Sequence, residues 1–272
     1  MKLFRSWREA MKMILSGYNM WIAVAASMVL AFTGTCFADQ SGRAYSVFET
    51  LVFILGGTEI TLQPWDVFRL SGLGYLKQAN YLAMFLPIIA AFPAVPALLD
   101  EVRSGASRYF IHRSGRIGHY LGRVLAIWMS GGLAVMIGYL LAAVPVYLVF
   151  FSAAQLQGLA EAAPFYTGLG QILSPVLGEA GVLLSYALDM FFYGAFFALP
   201  ACLLSGAVRN KYLVLCIPMI LRFIYDTIQK KYVRAFWTEG NMEMLSRAES
   251  WGSEMLGSAA SSPSLGKWLW IL

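Results

Sequence analysis

Charge is scarce in this chain, and so is most of what a catalytic site is built from. Only 13% of its 272 residues are Asp, Glu, Lys or Arg, while 59% are hydrophobic. A soluble domain carries about 25% charged residues, so an ordinary soluble fold is excluded and an integral membrane protein is indicated. The two histidines, His112 and His119, have no carboxylate or cysteine at metal-ligand spacing, so no metal site is expected. The three cysteines, Cys36, Cys202 and Cys216, lie in or beside apolar runs without a disulfide-framework spacing and read as small core residues. No G-x-x-x-x-G-K-[ST] stretch occurs, which excludes a nucleotide site of that kind in this chain. Neither a Ser/His/Asp nor a Cys/His arrangement is visible, so no catalytic residue is assigned and an intramembrane enzyme is the weakest reading.

What the chain does have is apolar length. A membrane-spanning helix needs roughly 20 residues, and five runs qualify: about 19–38, 80–99, 124–152, 180–205 and 212–228. Lys267 to Leu272 reads as the opening of a possible sixth, or as an interfacial anchor. The expected fold is all-α, an integral membrane protein with an N-terminal interfacial helix. Residues 1–17 supply that helix: Leu3, Phe4, Trp7, Met11, Ile14 and Leu15 recur at helical spacing, with Lys2, Arg5, Arg8 and Lys12 between them. The competing reading of this end is a signal peptide cleaved after Ala38. Within 80–99, Pro87, Pro93 and Pro96 predict a kinked helix buried among neighbours. Residues 39–79 are expected outside, as short helices on the membrane face, with 229–266 as a second external segment.

The basic residues orient these runs. Segments 1–17, 100–123 and 206–212 hold 11 Lys and Arg, against 7 in 39–79, 153–179 and 229–266 together, where 153–179 has none. Cytoplasmic loops carry the excess, which places the N-terminus inside. The net charge of +5 is thereby explained as a topology signal, and no nucleic acid is expected. Residues 100–123 stand out: five of 24 are Arg, and the acids are Asp100 and Glu101 at the start. Glu101, Arg103 and Arg108 sit near Gly105, with Tyr109 and Phe110 behind, a pattern for a short amphipathic helix offered to a soluble partner. An ordinary positive-inside loop is the plainer alternative.

Two ionisable residues fall well inside apolar runs, Asp189 and Arg222. Asp189 lies about 13 Å below the outer start of its run and Arg222 about 15–20 Å above the inner start of the next, by the helical rise. A lone charge at such depth is costly, so the two are expected to pair. Alternatives are an Arg222 to Asp226 pair on one helix face, and a role for either residue in lining a transport path. The aromatic residues Tyr186, Phe191, Phe192, Tyr193, Phe196 and Phe197 read as packing and lipid-facing surface, with part of a hydrophobic substrate wall as the alternative.

The layout, together with Asp100-Glu101-x-Arg103-x-Gly105, then Arg116, then Tyr120-Leu121-x-Arg123, resembles the membrane (permease) subunits of ABC exporters of the ABC type 2 permease family. The resemblance covers nearly the whole chain in layout and about two dozen residues in motif, and it departs at the incomplete sixth span. It implies a single transmembrane permease domain over 1–272, multi-pass in the cell membrane, a bacterial plasma membrane being expected. It further implies a connecting helix at 1–17 and a coupling helix at 100–111. Glu101, Arg103, Gly105, Arg108, Tyr109 and Phe110 would meet a separate ATP-binding cassette ATPase, which would hold the ATP and Mg; this chain would bind no cofactor. A second permease subunit, as homo- or heterodimer, and membrane lipid complete the implied partners. The rival reading is a non-transporting scaffold or assembly protein whose basic loop binds anionic lipid.

Overall fold

The computed structural model describes residues 2–38, 44–56, 68–105, 115–151, 173, 176–205, 208 and 210–237. Those residues are mostly helical: α1 (Lys2–Leu15), α2 (Tyr18–Ala31), α3 (Val47–Gly56), α4 (Arg69–Lys77), α5 (Asn80–Ala91), α6 (Val95–Ser104), α7 (Arg116–Val149), α8 (Glu179–Ser205) and α9 (Lys211–Trp237). Two short strands, β1 (Thr35–Ala38) and β2 (Ala44–Ser46), pair antiparallel between α2 and α3. The runs Asn80–Glu101, Ile117–Val149 and Glu179–Ser205 are long and apolar enough to cross a membrane, so this is a membrane protein. A fourth is added if Phe4–Leu15 and Tyr18–Ala31, bent by 66° at Ser16 and Gly17, count as one span.

The expected first span, 19–38, differs. Its helix stops at Ala31 after 14 residues, a rise of about 21 Å against a hydrocarbon core of about 30 Å. Thr33 closes the helix by donating its hydroxyl to the Leu30 carbonyl at 2.6 Å, and the β-branched and aromatic residues that follow form β1. The expected fifth span is helical, as α9, but among the described residues it is not one of the three runs long and apolar enough to cross a membrane. Residues 267–272 and most of 229–266 lie outside the described residues.

The chain forms two compact units, each with its own packing. The first comprises Met1–Ser27, Met84–Gly138 and Met190–Asp226. Here α1 buries Ala10, Met11 and Ile14, one stripe at helical spacing, while Arg8 and Lys12 stay exposed. Residues Ser6 and Trp7 lie against Gly122 of α7. Between α5 and α6, Phe92 to Ala94 form a break at Pro93, bridged by the Ala94 N–H donating to Ala91 O at 3.3 Å; Pro96 sits in the first turn of α6, where its missing donor is harmless. Ala91, Val95 and Leu99 pack with Ala201, Val214 and Leu215 in one buried cluster. Asp100 and Lys211 form an ion pair at its edge.

The second unit comprises Met28–Ala83, Tyr139–Asp189 and Thr227–Leu272. In it α3 starts on a capping box: the Ser46 N–H donates to Glu49 Oε2 at 2.8 Å and the Glu49 N–H donates to Ser46 Oγ at 3.2 Å. Helix α4 buries Leu70, Leu73 and Leu76. Its start is tied to the end of α7 by the Arg69 N–H donating to Phe151 O at 2.9 Å, and its middle by the Tyr139 hydroxyl donating to Leu73 O at 3.1 Å.

Candidate functional site

The basic segment is rooted in a buried charge cluster. α6 ends at Ser104 and Gly105 takes φ +72°, a left-handed conformation that glycine adopts without strain and that stops the helix. Gly115, at φ +80°, precedes α7 on the other side. Between these glycines the expected contacts Arg108, Tyr109 and Phe110 fall outside the described residues, as does His112. Arg103 lies in α6, its side chain outside the described set.

Glu101 is described, and it corrects the expectation of a partner-facing contact. It is 7% exposed and ion-paired with Arg123 of α7, with His119 Nε2 at 3.8 Å from its other oxygen. The reason is helical geometry: one turn back from Ser104, Glu101 points at α7, and a carboxylate there is stable only beside a cation. His119 of α7 is likewise buried. Arg123, the basic residue of the Tyr120-Leu121-x-Arg123 stretch, is the cation that neutralises Glu101 and so ties α6 to α7.

The charges in the apolar helices are also arranged differently from expectation. Asp189 pairs with Lys77, Nζ to Oδ2 at 2.6 Å, where Arg222 was the expected partner. The Lys77 ammonium also lies 4.9 Å from the centre of the Tyr186 ring. Asp189 and Lys77 belong to the second unit and Arg222 to the first. Arg222 is 7% exposed, its guanidinium 5.0 Å from the Phe197 ring centre, and the Asp226 side chain is outside the described residues. Lys77 was missed because 39–79 reads as an external segment. In fact α4 lies along α8, so Lys77 reaches a carboxylate ten residues into that helix, about 15 Å along its axis. The signal available in the sequence was the lone intramembrane acid, which demands a cation somewhere.

A second ion pair fixes the other end of α4: Arg69 Nη1 is 2.7 Å from Glu179 Oε2 and its guanidinium lies 4.2 Å from the Tyr147 ring centre. Of the aromatics on α8, Tyr186, Tyr193 and Phe197 are buried, and Phe191 and Phe192 stack in edge-on geometry with Trp128 close by. These are packing contacts of the described residues. Among the cysteines Cys36 is buried, but Cys216 is exposed rather than in the core. Compared with protein-family models, curated proteins and solved structures, the chain matches none.

Proposed function

We propose that the chain is the permease subunit of an ATP-driven ABC exporter, coupled to a separate cytoplasmic ATPase through residues 100–111. In this reading α1 is the interfacial connecting helix on the cytoplasmic side, α5 with α6, α7 and α8 cross the cell membrane, and α2 and α9 enter it beside them as the shorter or more polar members of the expected five-span layout. Two copies, or two related chains, would enclose the path.

The observation that carries the reading is the Glu101–Arg123 ion pair at the root of the basic segment. A partner pressing on the segment between Gly105 and Gly115 would push on two helices already locked together, so a local contact would become movement of α6 and α7 as one body. The packing of Ser6 and Trp7 of α1 on Gly122 would carry the same displacement to the interfacial helix. ATP and Mg would act on the partner, since this chain has no phosphate loop of the Walker type.

The test is co-purification of the tagged chain with the ATPase encoded beside it, comparing wild type with Arg103→Glu plus Arg108→Glu. Glu101 is not a target here because it is buried. The expected result is retention by wild type, loss of at least tenfold in the double variant and an unchanged elution profile of the chain itself. If wild type retains no ATPase but binds vesicles containing anionic lipid through the same arginines, the scaffold reading replaces this one.

A further inference from the structure

The Lys77 ammonium occupies a small cage in the second unit. Its Nζ lies 2.6 Å from Asp189 Oδ2 and 4.9 Å from the Tyr186 ring centre. A carboxylate and an aromatic face are the two surfaces that recognise an organic ammonium, one by a charge-assisted hydrogen bond and the other by its ring quadrupole. Neither charged side chain is sealed, Lys77 being 10% and Asp189 12% exposed. The cation is also carried on a short lever: Lys77 ends the nine-residue α4, and Gln78 and Ala79 separate it from α5. Four methylenes then lead to the charge.

We propose that Asp189 and Tyr186 form a cation site, filled in this structure by the protein's own Lys77, that takes the ammonium group of an external organic amine when Lys77 swings away. A carboxylate left in this place without a cation is strongly unfavourable. Departure of Lys77 and arrival of the amine are therefore one exchange, cation for cation, with no change in the charge of the site. The ligand class is an ammonium on an apolar body: the nearby Tyr139 is wholly buried and its hydroxyl already donates to Leu73 O at 3.1 Å, so little polar recognition is left for the rest of the molecule. The site stands whether or not the chain docks an ATPase.

The experiment uses the full chain purified in detergent and follows thermal unfolding against n-propylammonium chloride, with sodium chloride at equal ionic strength as control. Lys77→Met empties the cage of its tethered cation, and Lys77→Met with Asp189→Asn removes the carboxylate as well. The amine is expected to raise the Tm of Lys77→Met saturably, by roughly 5–11 °C at about 100 times its Kd, and to leave the double variant unmoved. An equal shift in both variants, or none in Lys77→Met, overturns the proposal. Should Lys77→Met fail to fold, amine present during solubilisation restores the folded yield if the cage binds it; failure of that rescue overturns the proposal equally.

Discussion

Glu101→Ala is expected to destabilise the protein by about 3–5 kcal/mol, the cost of stranding a buried partner charge. Arg123, 9% exposed, would be left in the first unit without the carboxylate that neutralises it. At 2–4 °C per kcal/mol for a chain of this order of size, the fall in Tm is roughly 6–20 °C. Arg123→Ala should cost a similar amount, and exchanging the two residues, Glu101→Arg with Arg123→Glu, should recover much of the loss, because the pair is internal to the unit. Thermal unfolding of the four proteins in one detergent decides it. If Glu101→Ala keeps the wild-type Tm and loses only ATPase binding, Glu101 is a partner contact after all and the locking role of the pair is lost. This cycle separates structure from docking, which Arg103→Glu with Arg108→Glu cannot do alone.

Gly131→Val is expected to cost about 3 kcal/mol, the upper part of the range for overpacking. A Cβ at Gly131 would stand 2.7 Å from the Cβ of Ala198 and 2.7 Å from the carbonyl oxygen of Ala90; one at Gly194 would stand 2.6 Å from the Gly131 carbonyl. The obstacles are backbone and a methyl on neighbouring helices, which cannot rotate aside as a long side chain can. Helices in membranes gain from close approach at small residues, so parting α5, α7 and α8 there loses contacts along their length. Gly74→Ala is the control: nothing lies within 4 Å of a Cβ at that helical position, and alanine there should be neutral or stabilising by up to about 1 kcal/mol. A Gly131→Val protein that unfolds at the wild-type temperature would show that this crossing is not tight.

Three membrane-length helices were legible from apolar length alone, because burial in lipid requires it and little else in a sequence produces it. The interfacial α1 was legible from its 3.6-residue alternation of Arg or Lys with Leu, Met and Ile, and the break near Pro93 from the lost backbone donor. The end of α2 was not. An apolar run through Cys36 and Phe37 looks the same whether it continues as helix or turns into a strand, and the pairing of Thr35–Ala38 with Ala44–Ser46 is a contact between segments.

By itself, then, the sequence determined the class of the protein, the position of its long apolar helices, and the need of Asp189 for a cation. Only the tertiary structure decided which cation that is. Lys77 answers Asp189 because α4 lies along α8, and Glu101 is lost to solution because α6 turns it onto Arg123. The physical reason is the same in both places. A buried charge is stable only beside its opposite, a requirement that composition announces, whereas the choice among candidate partners depends on helix rotation and depth, which are settled by packing between segments distant in the chain.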